Sequence, residues 1–282
     1  MSEKKAENWW ERLSPNRIDR RILFWIITIL IITIYLRPIG IPVAQTERVG
    51  NAYAVINNLP PKSIVLLSLD TTWGAYREVG PSAIAIFKHM IARDLRVVVA
   101  GFTIIDVNTF MFDMFSKVGV PTETYKYGVN YLTFGFIPGK DIAQAQAAID
   151  LRTLLKTDFY GTNLDDLPLG RELKNANSFS LVVDIDTTGG LDPFVRYWAT
   201  PYKIKIIHAG SAGSEVADAP YYPQLVQGIV PGNLGGAEYE VRTGYLGDGV
   251  KSTDMLSGTH LLIIGLIIFG NVLYITKERS KK

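Results

Sequence analysis

The chain has 282 residues, no cysteine and only three histidines. The lack of cysteine excludes disulfides, iron–sulfur clusters and cysteine-based zinc sites. His89, His208 and His260 are too scattered to suggest a histidine zinc cluster. No internal repeat and no low-complexity tract is present. With no disulfide to staple it, any globular part must be held by core packing, for which about 200 residues suffice.

Net charge is also scarce, at +2, but its distribution is uneven. Residues 1–43 hold seven Lys/Arg against four acids, and 256–282 hold four against one. Residues 44–255 hold eighteen against twenty-two. The slightly basic whole is therefore no argument for a nucleic-acid partner. The basic ends flank two apolar runs, "ILFWIITILIITIYL" (22–36, extended by "PIGIPVA") and "HLLIIGLIIFGNVLYI" (260–275). The first is short for a bilayer core, which needs about 20 apolar residues. Arg37 can snorkel and the following apolar residues can complete it. No good small-x-small cleavage site follows, so a retained anchor is expected rather than a signal peptide. Trp9 and Trp10 in "NWWERL" suit headgroup depth.

The positive-inside rule then gives a cell-membrane protein with both termini cytoplasmic and the middle extracytoplasmic. The expected organisation is a cytoplasmic segment 1–21, a span 22–42, an α/β domain 43–241, a linker 242–255, a span 256–276 and a cytoplasmic tail 277–282. Polar and small residues in the spans (Thr28, Thr33, Gly265, Gly270, Asn271) suggest helix–helix packing with each other, with another membrane protein or with a second copy.

The middle section alternates strand and helix signals. Five β-branched runs, at 63–69, 96–102, 130–136, 180–185 and 203–209, are apolar throughout, as strands covered on both faces are. Helical periodicity marks 82–94, opened by Gly80-Pro81-Ser82, and 141–156. A further helix is expected over 45–58, and two short helices or an irregular packed segment over 220–241. These signals predict a doubly wound, mostly parallel five-stranded sheet, flavodoxin- or Rossmann-like. The long connection 157–179 reads as a docking surface or local lid.

Open α/β sheets bind ligands outside the carboxyl ends of their strands, at the switch point of strand order. The candidate ligand-binding residues there are Asp70, Thr71, Gly139, Lys140, Asp186, Thr187, His208 and Ser211. With a flavodoxin-like order, Asp70 and the Gly139-Lys140 turn face each other. That turn, "GFIPGKD", is not a phosphate-binding loop. It is one residue short, a proline removes an N–H, and Asp141, better placed as a helix N-cap, stands where a hydroxyl should be. Asp184 and Asp186 lie on one strand face and, with Asp70, have the chemistry for a hard cation; the simpler reading has Asp186 capping its turn and Asp184 bonding loop amides. "HAGSAGSE" lacks the spacing of a nucleophile elbow. Neither a metal nor a cofactor is assigned.

Around "YYPQLVQGIVPGNLGGAEYE" (221–240), "TDFYGTNLDDLPL", "LVVDI" and the closing apolar run, the chain resembles an uncharacterised family of prokaryotic membrane proteins. These have two spans around an α/β domain. The resemblance carries no activity and no functional residue. The expectation is thus a membrane-anchored domain that binds a small ligand or a partner protein within a membrane assembly. The alternatives are a tethered hydrolase using Asp70, Asp186, His208 and Ser211, and a scaffold without ligand.

Overall fold

Strands that read as continuous apolar runs should be buried on both faces, and they are. In the computed structural model, which describes residues 19–121 and 123–279, six parallel strands form one sheet. They are β1 (Ile64–Asp70), β2 (Arg96–Gly101), β3 (Tyr131–Phe136), β4 (Leu181–Asp186), β5 (Lys205–Ala209) and β6 (Gly228–Ile229). Every residue of β1 and β4 is buried. Side chains alternate between two cores, as the pleat demands. Val65, Leu67 and Leu69 pack with Ile86, Phe87 and Tyr239 on one face. Ile64 and Leu66 pack with Phe194, Trp198 and Leu164 on the other.

The strand order is β3-β2-β1-β4-β5-β6. This is the Rossmann arrangement, in which the order reverses between β1 and β4. The flavodoxin-like alternative is therefore wrong, and β2 separates β3 from β1. Gly139 and Lys140 follow the outermost strand and do not face Asp70 across the switch point. The sixth strand, only two residues long within a glycine-rich stretch, gave no strand signal.

The helices are α1 (Arg20–Leu36), α2 (Glu47–Asn57), α3 (Trp73–Ala92), α4 (Val107–Val118), α5 (Lys140–Ile149), α6 (Leu191–Phe194), α7 (Gly232–Thr243) and α8 (Asp248–Arg279), with short turns between. Several differ from expectation for local reasons. Helix α3 starts at Thr72, whose hydroxyl caps Ala75 N, and runs through Pro81. Packing overrides the proline: Ser82 Oγ bonds Gly232 O at 3.2 Å, and α7 lies directly on this turn. A Cβ at Gly236 would sit 2.9 Å from Ser82 Oγ, so only glycine allows that approach. Helix α5 is capped by Gly139, not Asp141, and stops at Ile149 because Asp150 takes Thr153 N and restarts a short turn. The segment 157–179 is packed by buried Leu164, Leu169 and Leu173 in three short helical turns.

Two compact units divide the chain, Val43–Val250 and the terminal pair Met1–Pro42 with Lys251–Lys282. Within the terminal unit, Ile34 of α1 fits against Gly258 of α8. The buried Asp254 accepts Gly40 N at 2.7 Å and Ile41 N at 2.9 Å. Asn271, Thr28 and Thr33 each bond a carbonyl four residues back in their own helix. Among the described residues one helix, Asp248–Thr276, is long and apolar enough to cross a membrane. It begins inside the stretch read as a linker. Helix α1, at 17 residues, spans about 25 Å and falls short of the ~30 Å hydrocarbon layer. Most of the segments 1–21 and 277–282, including Trp9 and Trp10, lie outside the described residues.

Candidate functional site

The switch point brings Asp70 and Asp186 together as register partners at the carboxyl ends of β1 and β4. Beyond them, Thr71 Oγ1 and Thr187 Oγ1 are 3.0 Å apart, and Thr187 N bonds Asp70 O at 3.1 Å. Four of the expected residues thus meet in one place.

Neither carboxylate there is free. Asp70 accepts Thr103 N at 2.6 Å, Phe102 N at 2.9 Å, Ile104 N at 3.1 Å and Ser68 Oγ at 3.1 Å. It shapes the loop after β2, and Gly101 permits this: a Cβ there would lie 2.9 Å from Leu69 O and 3.2 Å from Asp70 Oδ1. Burial raises the Asp70 carboxyl above the usual carboxylate range against the pull of those N–H groups, and the charge of Asp186 adds to the rise. Asp186 accepts Thr188 N and Oγ1 at 2.6 Å each, Gly189 N at 2.8 Å and Gly190 N. It caps its own turn, with Gly189 at φ +94°.

Asp184 does not join them. Its Oδ2 lies 2.9 Å from His208 Nδ1, across the β4–β5 pairing, and not on loop amides. His208 Nε2 is 3.2 Å from Asp218 Oδ2. The imidazole is 2 % exposed and sits between two carboxylates. Burial alone would lower it, yet the bonds and charges of Asp184 and Asp218 outweigh burial and push His208 up to about 10. Both ring nitrogens thus lie beside carboxylate oxygens, Nδ1 in a hydrogen bond and Nε2 in a charge contact, an arrangement that favours the protonated ring. Ser211 and Ser214 bond each other's backbone, Ser214 Oγ giving to Ser211 O at 3.0 Å. His208 bonds Asp184 and forms no hydrogen bond with either serine, so the pairing of nucleophile and base that a hydrolase needs is not made here.

The remaining surface of the edge is made of hydroxyls and apolar rims. Thr188 and Gly189 are exposed, Trp73 is 49 % exposed and Ile105 74 % exposed. Trp73 rests on Phe110 at 4.6 Å between ring centroids. Lys140 is exposed at the far side of the sheet. Glu238 and Glu240 are structural ties. Glu238 accepts Thr46 N at 2.5 Å, and Glu240 accepts the N–H groups of Gly247, Gly249 and Val250 at 2.9 Å each.

Sequence reasoning missed Asp218 and Trp73. Asp218 carries no signal, since it meets His208 only through the loop after β5. Trp73 lies three residues after Asp70 in the sequence but was hidden by placing the helix start nine residues late, at 82. Among the described residues no group of three or more His, Asp or Glu side chains is placed to hold a metal ion. No protein family, curated protein or solved structure matches the chain. The family resemblance therefore rests on the residues quoted for it alone.

Proposed function

We propose that the chain is a membrane-anchored α/β domain that binds a small ligand or partner protein at the β1/β4 edge and performs no catalysis there. One observation carries this reading: every acid or base at that edge is held by the protein itself. Asp70 and Asp186 hold loop amides, and His208 is locked between Asp184 and Asp218. What faces outward are the Thr188-Gly189 turn and the Trp73 indole, which are groups for recognition.

Helix α8 provides the anchor. Its lower-length companion α1 completes a second crossing with the apolar Ile39–Val43 behind it. The basic ends keep both termini in the cytoplasm and place the domain on the far side. Large apolar side chains exposed all round α8, among them Leu261, Ile263, Ile267 and Phe269, suit lipid contact. The whole then serves as the binding component of a membrane assembly.

Native mass spectrometry of the full chain in mild detergent tests the binding site. The wild type should retain a co-purifying ligand or partner that a Thr187→Trp variant loses. Equal retention by the variant would move binding elsewhere.

A further inference from the structure

At the opposite end of the sheet a second feature stands apart from the β1/β4 edge. An open cavity of about 600 Å³ is formed by the chain between α5 and β4. That volume falls within the range of small-molecule sites, roughly 300–1,000 Å³. Its location at the amino ends of the strands follows from the Arg96–Glu172 pair, which joins the first residue of β2 to this segment at 2.8 Å. Arg152, Lys156, Arg171 and Lys174 line it, with Asp150 and Asp165.

The two carboxylates offset only two of the four cations. Asp150 accepts Thr153 Oγ1 at 2.6 Å and Thr153 N at 3.1 Å. Asp165 pairs with Arg152 at 3.0 Å. Arg152 is built into the wall, giving Nε to Leu173 O and a terminal N–H to Gly170 O, at 2.7 Å each. Arg171 donates Nε to Asp165 O, and its outer guanidinium edge stays open. Lys156 and Lys174 are exposed and form no ion pair among the described residues. Their backbones are nonetheless fixed: Leu164 N bonds Lys156 O at 3.1 Å, and Leu151 N bonds Lys174 O at 2.8 Å. Four cations against two carboxylates leave this concavity with a surplus of two positive charges, carried on pinned backbone, which suits an anion.

We infer that the cavity lined by Lys156, Arg171 and Lys174 binds a multivalent oxyanion of the phosphate class. The anion is either a soluble phosphate compound or the headgroup of an anionic phospholipid. The site is independent of the β1/β4 reading, since no residue is shared.

The full chain in phosphatidylcholine nanodiscs, titrated with inorganic pyrophosphate, tests the soluble source. The same chain in phosphatidylglycerol nanodiscs, without pyrophosphate, tests the lipid. Hydrogen exchange over residues 150–174 is the readout. Protection in either arm supports the site and names its source, provided that Lys156→Glu with Lys174→Glu weakens it by roughly tenfold or more. Arg77→Glu, on α3, should leave it unchanged and controls for net charge. If the reversal disturbs the segment's own exchange, Lys156→Gln with Lys174→Gln takes its place and should weaken protection in the same direction. Absence of protection in both arms overturns the inference. So does protection indifferent to the lysines, or equally lost in Arg77→Glu.

Discussion

Asp184 Oδ2 and His208 Nδ1 lie 2.9 Å apart on neighbouring strands, Asp184 with no exposure and His208 with 2 %. Asp218 closes the other ring nitrogen. Asp184 and His208 are enclosed in the domain and Asp218 closes the cluster from its partly exposed rim, which makes this a structural ion cluster.

Removing the middle of that cluster should be costly. His208→Asn leaves Asp184 buried without its cation, and breaking a buried pair in this way typically costs about 3–5 kcal/mol. Thermal unfolding followed by circular dichroism should show a large fall for His208→Asn. A fall no larger than that of an exposed substitution such as Arg77→Gln would contradict the assignment.

The cluster also sets a pH dependence. His208 titrates at about 10 in the fold against 6.5 in the free side chain, so the folded state holds its proton more tightly than the unfolded chain. Its contribution is complete below about 6.5 and is lost as pH rises toward 10. Asp184 is also raised by burial, from 3.8 to about 7, so its contribution has the same sign but is lost earlier, as pH rises from about 4 to 7. The melting temperature should therefore drop across the His208 window in the wild type, and much less in His208→Asn. A wild type that gains stability over that range would refute the charged imidazole.

Asp70 predicts a local effect. In Asp70→Ala the N–H groups of Phe102, Thr103 and Ile104 lose their acceptor, which costs about 1–3 kcal/mol for buried groups. Hydrogen exchange should speed up at 102–104 before it does in β2 itself. Uniform behaviour along β2 would mean that the carboxylate does not hold the loop.

Gly236→Ala tests the contact of α3 with α7. The added methyl meets Ser82 Oγ at 2.9 Å and Ser82 N at 3.0 Å. Overpacking of this kind costs about 1–3 kcal/mol even though alanine favours the helix. A stabilised Gly236→Ala variant would show that the two helices are not in close contact.

Much of the sheet was legible because buried parallel strands must be apolar on both faces, which left five β-branched runs such as "SIVLLSL" and "RVVVAGF". Strand order was not legible: no local signal says whether the chain turns back after β2 or after β3. The order decided the site, moving Lys140 away and pairing Asp70 with Asp186 instead. Helix starts failed where packing overrode punctuation. Gly80-Pro81 reads as a boundary, but α7 covers that turn and carries α3 through it. Helix α4 was not read at all, although Phe110, Met111 and Met114 form its buried face. Asp184 was visible as a buried charge in need of a partner; that the partner is His208 follows only from the β4–β5 pairing.

The central claim, a globular domain held across the membrane by apolar helices with basic ends inside, is best tested by cysteine labelling, because the native chain has none. Single variants Asn177→Cys, in the exposed loop before β4, and Ser280→Cys, near the C-terminus, are treated with a membrane-impermeant maleimide. The account predicts that Asn177→Cys is labelled in intact cells and that Ser280→Cys is labelled only after permeabilisation. Labelling of Ser280→Cys in intact cells, with Asn177→Cys protected, would contradict it.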